Sequence, residues 1–320
     1  MTVLAVDVGR TTIRAAVFSN GVRGVSVRLD NGATLADDDG APRLVGLLEM
    51  ALRALGDPAV GDLEDMVVAA AGAYFRPDLA EGLADALAKG GHVERDVVVT
   101  TDIVAAHAGA LDSRPGVVVA AGTGAVAFGV DGSGKTALVD GAGYLIGDAG
   151  SGFAVGRAGL AAAMRHHDGR RGGSELLARL AVGQYGSMSD LPGRLHGDVA
   201  PARAVASFAP AVAKAARDGD AVAAAIWREA VTELADTVTA ACDALPERDR
   251  RIAITGGLFD LNDLLTEPFL VTMAARQPGV VVRRAARDAM VGAARLATGP
   301  AGVYENLLFR RPSSSGGHHS

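Results

Sequence analysis

Thr2-Val-Leu-Ala-Val-Asp7-Val-Gly9-Arg10-Thr11-Thr12-Ile-Arg-Ala-Ala-Val-Phe18 opens the chain, and Val117-Val-Val-Ala-Ala121-Gly122-Thr123-Gly124-Ala125-Val-Ala-Phe-Gly-Val130 restates its plan further on. Each is an apolar, β-branched run, a short turn of Gly and Thr, and a second such run, so each reads as two strands joined by a turn. In the first copy a third strand-like run, Val22 to Leu29, completes an antiparallel meander. Leucines at helical spacing from Arg43 to Leu55 predict a helix, Met66 to Ala71 a buried strand, Pro77 to Lys89 a helix with proline at its start, and Asp96 to Thr101 a strand. Asp102 to Leu111 makes a short helix before Ser113-Arg114-Pro115-Gly116 breaks the chain.

After that break the second copy continues through an Asp131-Gly132-Ser133-Gly134 turn into a strand from Thr136 to Val139. A helical insertion of roughly Gly152 to Leu245 follows. Arg251 to Thr255 is then a buried strand, Leu258 to Ala275 helical, Val280 to Arg283 a strand and Ala285 to Ala297 a closing helix. The whole is a duplicated βββαβαβα plan, an α/β chain of two domains divided near residue 113.

Length and composition agree with that plan. Three hundred and twenty residues exceed the usual size of one core, and a hydrophobic share of 49% with only 4% aromatics and 42 glycines suits helices packed on strands. Disorder and collagen are excluded. Against 37 acidic residues stand 31 basic ones, with no long run of either sign, which argues against wholesale nucleic-acid binding. A single cysteine, Cys242, forbids an intramolecular disulfide, a Cys-based zinc site and an iron-sulfur cluster ligated within one chain, and fits a reducing cytoplasm. The N-terminus has no basic leader and no stretch of 18 uncharged apolar residues occurs, so neither a signal peptide nor a membrane span is expected. Glu305-Asn-Leu-Leu-Phe309 followed by RRPSSSGGHHS resembles a protease-site and tag remnant, and residues from 303 onward are expected to be a tag or disordered tail.

Three turns carry the chemistry. Asp7-Val8-Gly9-Arg10-Thr11-Thr12 and Gly122-Thr123-Gly124-Ala125 stand at corresponding places in the two copies, and Thr255-Gly256-Gly257-Leu258 lies between a buried strand and a helix. Glycine admits close backbone approach to an anion, N–H groups point at its oxygens, and threonine hydroxyls add donors. Singly, the first two are also ordinary hairpin turns and the third a helix entry. Asp7 ends the first strand, where a carboxylate can hold Mg²⁺ through water or simply form a turn. Asp102 follows a strand and precedes a helix, the place of either an N-cap or a cleft carboxylate. Asp148, in a Gly-rich loop before a helix, can be a solvated loop carboxylate or cap that helix.

Taken together, the three turns resemble the actin-like superfamily of hexokinases and 70-kDa chaperones. Thr100-Thr101-Asp102, the Gly122-Thr123-Gly124 turn and Gly143-Tyr144-Leu145-Ile146-Gly147-Asp148-Ala149-Gly150-Ser151-Gly152 resemble its N-acetylglucosamine kinase branch, grouped with BadF/BcrA-type ATPases. The resemblance spans residues 2 to about 299. It implies two ribonuclease H-like domains with mixed five-stranded sheets, nucleotide and sugar in the cleft between them, and a closing helix that returns to the first domain. ATP and Mg²⁺ would be held by Asp7, Gly9, Arg10, Thr11, Thr12, Gly122, Thr123, Gly124, Gly256 and Gly257. Asp102 would be the general base, with Gly72, Thr123, Gly143 and Asp148 on the sugar. Transfer would go to the 6-hydroxyl of N-acetylglucosamine or glucosamine, in a cytoplasmic homodimer that binds neither nucleic acid nor membrane.

The chain departs from the branch where Trp and Glu are usual, carrying Ala142 and Ala149 instead, and Asn31 is only a loose match for an expected asparagine. Two rival functions follow from the same superfamily: an ATPase activator of an acyl-CoA dehydratase-type system, which needs a cluster-binding cysteine pair, and a non-catalytic actin-like regulatory protein, which needs no Asp102. Gly129-Val-Asp-Gly-Ser-Gly134-Lys135-Thr136 satisfies G-x-x-x-x-G-K-T literally, but the sequence after it reads as strand and loop where a P-loop requires a helix. His166-His167 lacks a third ligand at metal spacing, and Cys242 and Trp227 read as packing residues.

Overall fold

The computed structural model describes residues 1–9, 12–30, 34–35, 37–56, 62–246, 251–298 and 302–314. Two units emerge: one of Met1–Gly116, Val130–Lys135 and Arg284–Ser320, the other of Val117–Gly129 and Thr136–Arg283. In chain order the first unit begins β1 (Thr2–Val8), β2 (Thr12–Ser19), β3 (Val22–Asp30), α1 (Gly40–Leu55), β4 (Asp65–Ala70), α2 (Pro77–Lys89), β5 (Asp96–Thr100) and α3 (Asp102–Ala110). Then come β6 (Gly116–Ala121), β7 (Ala125–Val130), β8 (Thr136–Asp140) and six helices, α4 (Gly152–His167), α5 (Glu175–Tyr185), α6 (Leu191–His196), α7 (Pro201–Ala206), α8 (Ala209–Arg217) and α9 (Ala221–Asp243). The chain ends with β9 (Arg251–Thr255), α10 (Glu267–Arg276), β10 (Val281–Arg284), α11 (Ala289–Thr298) and β11 (Phe309–Pro312).

Alternation along the central strands sets the layers of the first unit. β1 runs parallel to β4 and β4 to β5, while β1 is antiparallel to β2. Nearly all of β1 and β4 is buried, as parallel strands covered on both faces must be. Leu4, Val6, Met66 and Val68 point to one side, where Leu44 and Leu48 of α1 and Leu83 and Leu87 of α2 complete a core. Val3, Ala5, Val67 and Ala69 point to the other, against Ala105 of α3 and Met290, Ala293 and Ala294 of α11. β3, at the edge, is almost wholly exposed.

In the second unit the sheet order is β10-β9-β6-β7-β8, with β6 parallel to β9. Val117, Val119 and Ala121 of β6 meet a helical core that includes Val155, Leu177, Phe208, Val212, Trp227 and Leu234. Trp227 and Cys242 are both buried there, as packing residues.

Three expectations need correction. The C-terminal stretch is part of the first unit: residues Gly302–Leu307 form a 3₁₀ turn with Tyr304 buried, and β11 pairs antiparallel with β5. The first sheet therefore has six strands, ordered β11-β5-β4-β1-β2-β3, where five were expected. Residues 315–320 lie outside the described residues. The helix expected from Leu258 to Ala275 is broken into a 3₁₀ turn (Gly257–Asp260), a π turn (Asn262–Thr266) and α10. Pro268, at the start of α10, has no N–H to continue a helix through it. The closing helix starts at Ala289, four residues late, because Asp288 caps it by accepting from Val291 N at 3.1 Å.

Candidate active site

The turn between β1 and β2 is closed by Gly9 N donating to Thr12 O at 3.0 Å. Antiparallel register sets Asp7 directly opposite Arg14, whose Nε donates to Asp7 Oδ2 at 3.1 Å and whose Nη2 donates to the same oxygen. Asp7 is buried while Arg14 keeps about half its side chain in solvent, 49% exposed. A buried carboxylate thus meets an exposed cation at the turn, and both are chemically suited to a polyphosphate and its counter-ion. Arg14 was missed in the sequence, although two residues equally far from a hairpin turn face each other across it. Thr12 Oγ1 accepts from Arg28 Nη2 at 3.4 Å. Arg10, Thr11 and Asn31 lie outside the described residues.

At the far end of β5, Thr101 and not Asp102 is the N-cap of α3. Thr101 is extended and its Oγ1 accepts from Val104 N at 3.1 Å. Asp102 heads the first helical turn, half-buried, with Oδ1 accepting from Ile103 N at 2.9 Å. Gly72 follows β4 with φ +88°, a left-handed conformation that glycine adopts without cost. Its turn is tied to β1 by Ala71 N donating to Val8 O at 2.8 Å.

The second unit builds its own turn against α4. Gly122 N donates to Gly124 O at 2.8 Å, Gly152 N to Gly122 O at 2.8 Å, and Phe153 N to Thr123 O at 3.0 Å. Thr123 is exposed. A Cβ on Gly122 would meet no atom within 4 Å, so the backbone there can be approached closely. Asp148 is buried with φ +59°, and its Oδ1 accepts from Ala125 N at 3.3 Å. That bond joins the Gly-rich loop to the turn and shows that Asp148 is neither a solvated carboxylate nor the helix cap. Ser151 caps α4 instead, accepting from Ala154 N at 3.2 Å.

Asp140, also missed, organises the loop: its carboxylate accepts from Asp148 N and Ala149 N, each at 2.7 Å. The Asp140-Gly141 pair after a strand was the available signal. Gly143 has φ +85° and its carbonyl accepts from Gly147 N at 2.7 Å, leaving Leu145 and Ile146 exposed at the tip. Gly256 and Gly257 play different parts. A Cβ on Gly256 would lie 2.1 Å from Ala121 O, whereas one on Gly257 would meet nothing within 4 Å. Open backbone at Gly122 and Gly257 fits a bound nucleotide, which needs glycine where phosphate or base approaches the chain.

The literal P-loop match is a β-hairpin turn. Asp131 Oδ1 accepts from Ser133 N at 2.8 Å and Lys135 N at 2.9 Å, and β8 follows at once. His166 and His167 end α4, and no group of three metal-ligating side chains occurs among the described residues. Among the described residues no helix is long and apolar enough to cross a membrane.

Known proteins share this architecture. A protein of Chromobacterium violaceum described as a candidate N-acetylglucosamine kinase superposes with a TM-score of 0.69 at 24% identity, over 91% of this chain and 97% of that one. A ROK family glucokinase of Streptomyces griseus, solved with glucose and AMPPNP, superposes with a TM-score of 0.59 at 20% identity, over 93% and 99%. These likenesses establish the actin-like α/β fold. In sequence, an N-acetylmuramic acid/N-acetylglucosamine kinase of Clostridium acetobutylicum is 27% identical over 205 residues, 63% of this chain and 67% of that protein. Residues 4–297, nearly the whole described chain, match the model of one family throughout: the chain belongs to the BadF/BadG/BcrA/BcrD ATPase family.

Proposed function

We propose that this chain is an ATP-dependent sugar kinase that phosphorylates an amino sugar of the N-acetylglucosamine or glucosamine type on its 6-hydroxyl. The observation that carries it is the place of Asp102: it heads α3 directly after β5, at the carboxyl end of a strand that runs parallel to β4, while Thr101 supplies the helix cap. Membership of an ATPase family and the likeness to an N-acetylmuramic acid/N-acetylglucosamine kinase support the donor and the acceptor class.

In the reaction Asp102 accepts the proton of the sugar hydroxyl as its oxygen bonds to the γ-phosphorus. The bond from that phosphorus to the bridging oxygen of ADP breaks, giving a sugar phosphate and ADP, and the proton leaves to solvent. Positioning and charge stabilisation supply most of the acceleration in such transfers, with a general base adding about a hundredfold or more. Gly9, Arg10, Thr11, Thr12, Gly122, Thr123 and Gly124 hold the phosphates, Arg14 adds positive charge beside Asp7, and Gly257 packs on the adenosine while Gly256 admits the close approach of Ala121 that sets this turn beside it. Asp7 would hold Mg²⁺, and that ion when bound would neutralise phosphate charge.

Gly72, Gly143, Thr123 and Asp148 serve the sugar. Asp148 already accepts from Ala125 N, yet an ionised carboxylate has about four lone-pair sites, enough for sugar hydroxyls as well. Ala142 and Ala149 leave the 2-substituent more room than Trp and Glu would. The helices α4 to α9 furnish the face of a homodimer. ADP-coupled turnover with N-acetylglucosamine, glucosamine, glucose and mannose tests the proposal. An amino sugar should be preferred over glucose by roughly tenfold or more, the range a modest apolar contact supplies. No stimulation by any hexose would overturn it.

A further inference from the structure

We propose that Tyr304, reaching α3 from the C-terminal segment, is a positioning residue for Asp102; the inference rests on the base role proposed above. α3 has only nine residues, and Ala105 and Gly109 bring it close to α11 and the residue before it. A Cβ on Gly292 would lie 1.9 Å from Ala105 O, and one on Gly109 would lie 2.2 Å from Asp288 O. A Gly and Ala face of this kind sets the separation of two helices closely, with Met290 of α11 in the same core, and the far end of α3 is held where Ala110 O and Gly109 O accept from Ala286 N and Arg287 N at 3.1 Å each.

Direction is supplied by His107, a buried polar side chain five residues after Asp102. Its Nδ1 lies 2.7 Å from Tyr304 Oη and its Nε2 lies 3.0 Å from Gly116 O. A carbonyl only accepts, so Nε2 carries the hydrogen and Nδ1 accepts from the Tyr304 hydroxyl, which fixes one neutral tautomer. Burial holds the imidazole pKa down at about 4, so the ring stays neutral at working pH. Tyr304 is itself buried, edge-on to His107.

The same segment grips the strand before Asp102. Thr100 Oγ1 donates to Leu307 O at 2.8 Å, two residues ahead of the base, and Phe309 pairs with Val99 in the sheet. Arg310 Nη1 donates to Asp96 Oδ2 at 3.1 Å and Arg311 Nε to Asp85 Oδ1 at 2.5 Å. Both flanks of Asp102 are therefore tied to residues 302–312, on the helix side through the Tyr304 hydroxyl. A displacement of about 1 Å at a reacting group can cost on the order of a hundredfold in rate.

Tyr304→Phe keeps the ring and removes that hydroxyl. The tests are steady-state kinetics and amide exchange across residues 101–105, with Tyr185→Phe, a lost hydroxyl in α5, as the control. Turnover should fall about tenfold with both KM values held within about twofold, and exchange should quicken by about tenfold. In an Asp102→Asn background the same change should have no further effect on turnover, a pattern that general destabilisation would not give. Unchanged turnover in Tyr304→Phe, or an equal fall in the Asp102→Asn background, would overturn the inference. If the wild-type chain turns over no sugar, the base role fails, whereas unchanged exchange in Tyr304→Phe refutes the anchorage itself.

Discussion

Gly256→Ala and Gly257→Ala form a matched pair whose effects should fall on different observables. At Gly256 the backbone has φ +99°, and a Cβ would stand 2.1 Å from the oxygen, 2.7 Å from the carbon and 3.0 Å from the nitrogen of Ala121. All three atoms are backbone, so no side chain can swing aside and β6 or β9 must move by about an ångström. The left-handed conformation costs a non-glycine residue about 1–2 kcal/mol and overpacking about 1–3 kcal/mol more, together about 2–5 kcal/mol. For a chain of this size that is a fall in Tm of roughly 4–20 °C. Ala121 immediately precedes Gly122, so the shift lands on the phosphate turn and the KM for ATP should also rise. At Gly257 a Cβ meets nothing within 4 Å, so stability should stay within about 0.5 kcal/mol of wild type. The KM for ATP should nevertheless rise severalfold, because the methyl group occupies space assigned to adenosine. Thermal unfolding and ATP titrations on both variants decide it. A Gly256→Ala Tm unchanged from wild type refutes the close approach, and an unchanged ATP KM in Gly257→Ala refutes the adenosine assignment.

Three further outcomes are expected. Lys135→Ala should leave ATP use unchanged, since Lys135 leads into β8, while Thr123→Val should raise the ATP KM or lower turnover; the reverse pattern would restore the P-loop. His107, with its pKa held at about 4 against 6.5 unfolded, contributes stability that is complete above pH 6.5 and is lost as pH falls toward 4, because only the unfolded chain takes up the proton. Between pH 7.5 and 4.5 the wild type should therefore lose about 2–3 kcal/mol more than His107→Gln, measured by denaturant unfolding, and equal losses would show that His107 does not titrate between the states. Ala142→Trp should change the ratio of kcat/KM for N-acetylglucosamine over glucose by about tenfold, and an unchanged ratio would place residue 142 away from the sugar.

The duplicated plan was legible because β-branched runs and Gly-Thr turns are local signals. The strands β1 to β9, the insertion α4 to α9 and the turns at Gly9, Gly122 and Gly256 all follow from them. What escaped was non-local. β11 is a four-residue edge strand whose pairing with β5 spans more than two hundred positions, and its composition resembles a linker. Thr101 and Asp102 are both favoured caps by type, Asp the more so, and only the geometry of Val104 N separates them. Arg14 needed a hairpin register, Asp140 the fold of its own loop, and the steric demand at Gly256 the approach of β6 to β9. Pro268, by contrast, was readable in the sequence as a helix break and was passed over.

The most direct measurement is the rate at which phosphorus appears on the 6-oxygen of N-acetylglucosamine or glucosamine, followed by phosphorus–proton correlation NMR in wild type and Asp102→Asn. Wild type should give a correlation to the protons on C6. Asp102→Asn should slow its appearance by about a hundredfold or more, with sugar binding and Tm retained because Thr101 still caps α3. A wild-type product phosphorylated elsewhere, or an Asp102→Asn variant that keeps more than about a tenth of the rate, would contradict the assignment of this chain as a kinase with Asp102 as its base.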